Sequence, residues 1–161
     1  MVEILKLEED DLEFLNQVRN QCAPEFLHDS RLFTPEETVK WFSETNPDYY
    51  LIKEDLNKLG YFRTSNLDKE NRSIYIGCDI DEKYRGMGYG FYSYKKFIPF
   101  IFKEYDVDVI LLEVLKNNIV AKNLYLKLGF VHLKDMEDKI KKSCGYVSSQ
   151  IMSINRNQWL H

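Results

Sequence analysis

Two stretches of this 161-residue chain set chemically useful residues at spacings that would let them act together. The first is Arg85-Gly86-Met87-Gly88-Tyr89-Gly90. Glycines there let the backbone bend so that successive N–H groups, and the start of a following helix, point at one anion, the geometry a pyrophosphate needs. Glycines also make ordinary strand-to-helix turns, and the stretch lacks the lysine and hydroxyl of a P-loop. It opens the third expected helix rather than the first, so a dinucleotide-binding fold fits poorly. The second stretch is residues 113–130. Asn118 stands where it would cap a helix, Ala121 permits close approach by a ligand or strand, and Tyr125 lies two turns on, roughly on the same face. Asn118 and Tyr125 could share one ligand; a plain cap and a half-buried amphipathic tyrosine are the structural alternatives.

The elements that must position these residues are written in the hydrophobic pattern. Residues 2–7 alternate apolar with charged side chains, as a half-buried strand does, and the acids of residues 8–11 suit a helix start. Leu12, Leu15 and Val18 follow helical spacing until Pro24. Thr34-Pro35-Glu36-Glu37 supplies a cap, a proline at the first helical position and a glutamate three residues after the cap, opening a second helix that carries Val39, Trp41 and Phe42. Residues 49–53, 59–64 and 73–81 then read as an antiparallel three-stranded meander, with a polar loop at 66–71. Residues 88–105 form an aromatic helix that Pro99 should kink. Residues 108–115 read as a fully buried strand, and 118–128 as a helix closed by Gly129. A short strand at 130–133, a charged segment at 134–142 and a last strand at 147–154 complete one α/β domain, residues 1–161, with a mixed central sheet.

Composition narrows the function. A hydrophobic content of 44% supports one real core, and 26 acids against 22 bases leave a net charge of −4, without the basic footprint of a nucleic-acid binder. Cys22, Cys78 and Cys144 are scattered singly, which argues against a disulfide scaffold or a zinc site and for a reducing compartment. The start of the chain lacks a signal-peptide pattern, and no apolar run approaches the roughly 20 residues of a membrane span, so a cytoplasmic protein without membrane partners is expected. His28, His132 and His161 are too dispersed to suggest a metal. Cys144 reads as a loop thiol, and Lys139-Ile140-Lys141-Lys142 as a solvated face that could attract a phosphate if it lay near a cofactor.

Together the two stretches resemble the GNAT acetyltransferase superfamily. Its R/Q-x-x-G-x-G/A motif is matched at Arg85, Gly88 and Gly90, and its N-x-x-A-x-x-x-Y-x-x-x-G-F stretch at Asn118, Ala121, Tyr125, Gly129 and Phe130. The resemblance implies a mixed, largely antiparallel sheet flanked by helices, split between its two central strands to hold acetyl-CoA. It implies a pantetheine arm on the strand ending at Ile80, and loop amides of Arg85, Gly86, Met87, Gly88, Tyr89 and Gly90 on the pyrophosphate, with Asn118 near the pantetheine and no metal. Tyr125 would protonate the departing thiolate, a task suited to a phenol of reference pKa about 10. Glu113 matches a leucine-glutamate-valine position that serves as base in some relatives, and Asp79 is its rival.

Arg19-Asn20 and Trp41-Phe42 resemble a branch containing ribosomal-protein N-terminal and amino-sugar acetyltransferases, which nominates Arg19, Asn20 and Trp41 as acceptor contacts; helix surface and core is the alternative reading. The expected activity is direct transfer of acetyl from acetyl-CoA to a primary amine, on a nucleotide-linked amino sugar or another small molecule, by a monomer or homodimer. A protein N-terminal acetyltransferase and a non-catalytic acyl-CoA-binding module are the alternatives.

Overall fold

The computed structural model describes residues 1–159. In chain order the elements are β1 (Val2–Lys6), α1 (Leu12–Cys22), α2 (Pro35–Thr45), β2 (Tyr49–Glu54), β3 (Asn57–Asp68), β4 (Ser73–Ile80), α3 (Tyr89–Glu104), β5 (Val109–Leu115) and α4 (Ile119–Leu128). They continue with β6 (Val131–Asp135), β7 (Ile140–Lys142), β8 (Gly145–Val147), β9 (Ser149–Asn155) and α5 (Arg156–Trp159). Seven strands form one sheet in the order β1-β2-β3-β4-β5-β9-β6, while β7 and β8 form a separate hairpin. All of its pairings are antiparallel except β4 with β5.

That parallel pair holds together only at Ser73↔Val109, Ile74↔Ile110 and Tyr75↔Leu111. Beyond it β4 runs on to Ile80 and β5 to Leu115 without each other, which opens the expected split. The period of two assigns the faces. Ile74 and Ile76 of β4, with Ile110, Leu112 and Val114 of β5, are buried with Phe97, Ile98 and Ile101 of α3 and Leu128 of α4. Phe97 stacks on Phe62 at 3.9 Å between centroids, and α3 continues through Pro99 as one helix with Ile98 and Ile101 buried around it. The opposite face is covered by α1, where Leu12, Leu15 and Val18 pack with Leu7 and Tyr61. At the start of α2, Thr34 Oγ1 accepts from the Glu37 amide (3.1 Å) and Glu37 Oε1 accepts from the Thr34 amide (3.3 Å), the capping box expected from the sequence.

Three expectations change. β3 continues to Asp68 and absorbs the first half of the anticipated polar loop, because it stays paired with β4 as far as Asp68↔Ser73, while residues 69–72 form the turn. β5 is not buried on both faces, since Glu113 is exposed. The charged segment is not featureless: Ile140 and Val147 bury themselves against Leu115, which folds β7 and β8 into a hairpin. Among the described residues no helix is long and apolar enough to cross a membrane.

Tight pairing of β3 with β4 sets one demand on sequence. A Cβ at Gly60 would stand 2.2 Å from the Asp79 carbonyl oxygen and 2.9 Å from Ile80 Cα, both backbone atoms that cannot rotate away. Gly60→Ala is therefore expected to lower stability by about 2–3 kcal/mol in denaturant unfolding; an unchanged midpoint would show that the strands can move apart there.

Candidate active site

The glycine loop lies between the end of β4 and the start of α3. Gly86 (φ +75°) and Gly88 (φ +86°) adopt left-handed conformations, and Gly88 is the N-cap of α3, so the amides that follow belong to an uncapped helix start. Met87 is exposed at the tip. The Arg85 side chain turns away from this concavity: Nε donates to the Ile80 carbonyl (2.9 Å), Nη2 reaches Cys22 Sγ (3.2 Å), and the guanidinium lies over Phe26. Arg85 therefore ties the loop to β4 and α1. The Tyr89 hydroxyl donates to Glu54 (2.7 Å).

Asn118 is the N-cap of α4, its Oδ1 accepting from the Ala121 amide (3.2 Å). Gly129 (φ +100°) ends the helix, and the Phe130 amide returns to the Tyr125 carbonyl (2.9 Å). Tyr125 is 8% exposed and meets Tyr94 edge-to-face at 5.7 Å, with the Tyr94 hydroxyl directed at its own (3.5 Å). Burial pushes the Tyr125 phenol up to about 12, opposed by that contact from Tyr94.

The other face of the split is polar. Asp79 of β4 and Glu113 of β5 alternate with residues packed into the α3 side, so both project toward α1 and α2. The Ser149 hydroxyl donates to Glu113 Oε1 (2.5 Å) and also lies 3.0 Å from Asp138 Oδ2, which accepts from His28 Nε2 (2.8 Å). His28, Glu113 and Asp138 thus present ligand-type atoms within 4.8 Å of one another, a convergence that the spacing of the histidines did not disclose. His132 contacts its neighbour Asp135, and His161 lies outside the described residues.

Between α1, α2 and the sheet is a cavity of about 740 Å³. Arg19 and Trp41 are in its wall, and Tyr49, Tyr61, Arg63 and Asp79 form its sheet side. Tyr49 and Tyr61 stack at 5.8 Å. Arg63 crosses β4 above Gly77, its register partner, where a Cβ would come within 2.6 Å of Nη2. Its Nε and Nη2 lie 3.3 Å from the Asp79 carboxylate. Arg63 was not singled out in the sequence; a glycine in the middle of a central strand was the available signal.

The loop over this cavity is held from both sides. Arg19 Nη1 donates to the Arg31 carbonyl (2.6 Å), and the Asn20 side chain bonds both the amide (3.0 Å) and the carbonyl (2.8 Å) of Phe33. Asn20 is thus occupied with the wall, and Trp41 packs 5.2 Å from Tyr49. From the far side comes Lys142, 6% exposed, donating to the carbonyls of Ala23 (2.9 Å) and Leu27 and to Ser30 Oγ (2.7 Å). This corrects the solvated reading of the lysine cluster: the hairpin turns Ile140 and Lys142 inward while Lys141 stays out. Exposed Cys144 sits at the hairpin turn.

Residues 12–130 match the family model described as the acetyltransferase (GNAT) family. The fold is similar to spermidine N-acetyltransferase from Vibrio cholerae, solved in complex with CoA and spermine: TM-score 0.92, 17% identity, with 99% of this chain and 98% of that one covered. A single-residue variant of the Vibrio cholerae enzyme gives 0.86 and 18%, covering 99% and 96%. A candidate phosphinothricin N-acetyltransferase gives 0.83 and 18%, covering 96% and 98%. No curated protein sequence matches the chain.

Lys142→Met removes one buried donor group that serves three loop oxygens. It is expected to cost about 2 kcal/mol in stability and to speed amide hydrogen exchange in residues 23–33 ahead of the sheet. Exchange unchanged in that loop would show that Arg19 and Asn20 suffice to hold it.

Proposed function

We propose, from the premise that this chain belongs to the acetyltransferase (GNAT) family, that it moves acetyl from acetyl-CoA, the family's co-substrate, directly onto a primary amine of a small molecule bound in the cavity above Asp79. The observation that carries this reading is the opening between β4 and β5, with a left-handed glycine loop at the end of one strand and buried Tyr125 behind it. The unpaired edges of Ile76–Ile80 and Leu112–Leu115 would pair with the amides of the pantetheine arm, and the amides of the Gly86 to Gly90 turn would take the pyrophosphate.

The acceptor ammonium first gives up a proton. Glu113, exposed on the acceptor face of β5, is the proposed proton acceptor, directly or through water; Asp79, already in an ion pair, holds charge in the cavity. The amine nitrogen attacks the thioester carbon, the tetrahedral intermediate gives up the second nitrogen proton to water, and it collapses with breakage of the C–S bond; that proton, through solvent, later restores the Tyr125 phenol. The thiolate then takes the phenolic proton of Tyr125, leaving an N-acetyl product and CoA thiol. A phenol raised to about 12 yields its proton to a nascent thiolate poorly solvated at the bottom of the split, and Tyr94 stabilises the phenolate that remains.

A concave cavity of about 740 Å³ supports a small molecule over a polypeptide end. A nucleotide-linked amino sugar remains the acceptor suggested by the sequence, with Arg19 available for its phosphates. The similarity to spermidine acetyltransferases brings polyamines into consideration, but four bases and four acids line the cavity, a balance that offers a polycation no net attraction. Release of free thiol from acetyl-CoA in the presence of amines would separate an enzyme from a binding module.

Tyr125→Phe keeps the ring and removes the proton donor; kcat is expected to fall about 10²-fold or more with acetyl-CoA affinity nearly unchanged. Wild-type turnover under conditions where chemistry limits would remove Tyr125 from the mechanism. Gly88→Val cannot easily adopt φ +86° and should weaken acetyl-CoA binding in calorimetry while circular dichroism remains native. Equal affinity would place the pyrophosphate elsewhere.

A further inference from the structure

The Arg63–Asp79 pair is an incomplete ion pair inside the acceptor cavity. Asp79 is 4% exposed, yet both of its oxygens are 3.3 Å from Arg63, well beyond the roughly 2.8 Å of a charge-assisted hydrogen bond. Asp79 Oδ2 and Arg63 Nε are buried without a hydrogen-bond partner among the described residues. Arg63 itself is 36% exposed to the cavity, and its outer edge, formed by Nη1 and the second Nη2 hydrogen, makes no hydrogen bond among those residues. A buried carboxylate oxygen and a guanidinium fork, side by side and both unsatisfied, ask for a ligand of both signs.

A second guanidinium faces the same cavity. Arg19 stacks on Phe33 (4.1 Å) and is steadied by backbone carbonyls, but it makes no ion pair with a carboxylate among the described residues. Its neighbour Arg31, by contrast, is closed bidentately on Asp29. Two cations without full anionic partners therefore stand around one largely buried carboxylate in the cavity floor. A polyamine would satisfy Asp79 and bring its charge against Arg63; an uncharged amine would leave both forks empty.

We propose that the acceptor carries an anionic group as well as its amine, with the ammonium on Asp79 and the carboxylate or phosphate read by Arg63 and Arg19. This inference rests on the small-molecule acceptor reading and narrows it to one class. A carboxylate beside the amine, as in an α-amino acid, fits the closeness of Arg63 to Asp79; a phosphate further along the molecule, as in a nucleotide-linked amino sugar, would use Arg19.

The test compares kcat/KM for three arms with the full chain: α-amino acids, nucleotide-linked amino sugars, and matched amines lacking the anion, with spermidine among them. At least one anionic arm should exceed its matched amine by about 10²-fold. Arg19→Met should collapse that ratio at least about tenfold if the anion is distal, and Arg63→Lys, which keeps the charge but loses the planar fork, should do so if it is proximal. Both changes are expected in the acceptor KM, not in the KM of acetyl-CoA. Spermidine or uncharged amines used as well as their anionic counterparts, or a ratio unmoved in both variants, would overturn the proposal. If acetyl-CoA binds but no amine in any arm is acetylated, the small-molecule acceptor reading itself fails. Calorimetric titration of the same anionic amines into the CoA complex then decides the inference: binding lost in a variant supports it, and no binding overturns it.

Discussion

Everything functional in this chain depends on the failure of β4 and β5 to stay paired. Three residue pairs join them, and then the two strands run on with bare inner edges. Unpaired backbone donors and acceptors in a sheet centre are costly unless something of complementary geometry fills the gap. An extended ligand with alternating amides does so. The split is kept open by what grows from its two ends: β4 leads through the Asp81-capped turn into α3, and β5 leads through Asn118 into α4. Because α3 and α4 pack on the same face as Ile110 and Leu112, both helix starts gather at the mouth.

The alternation of side chains along those strands then divides the chemistry. One face is oily and encloses Tyr125, whose proton is held tightly by burial. The other bears Asp79, Glu113, Arg63 and Ser149, where charge is handled. In the mechanism proposed above, Tyr125 and Glu113 would therefore act from opposite faces of the sheet, which keeps the proposed acid and base apart. Without the period of two, a single strand could not serve both.

How much of this was legible in the sequence follows from the range of the interactions involved. The capping box at Thr34, the caps at Asn118 and Gly129 and the glycine bend that opens α3 are local devices, readable within a few residues, and they hold. The Arg63–Asp79 pair required knowing that Arg63 sits opposite Gly77, a register fact. The convergence of His28, Glu113 and Asp138 and the burial of Lys142 were hidden for the same reason: their partners come from the far end of the chain, and a charged residue has no periodic signature of being buried by a distant loop. The strand that replaces the first half of the polar loop expected at residues 66–71 is a tertiary override, since pairing with β4 outweighs the weak strand preference of Asn66 and Asp68.

The hairpin that the sequence concealed also links the two halves of the site. Ile140 and Val147 rest on Leu115, the last residue of the β5 arm of the split, and from the same hairpin Lys142 reaches Ala23, Leu27 and Ser30 in the acceptor wall. Leu115 and the acceptor wall are thus connected through three residues of one hairpin. Lys142 is buried, so its ammonium depends on these three loop oxygens for its hydrogen bonds. Arg19 and Asn20 hold the same wall from the opposite side through Arg31 and Phe33, so its backbone is tied to both α1 and the hairpin.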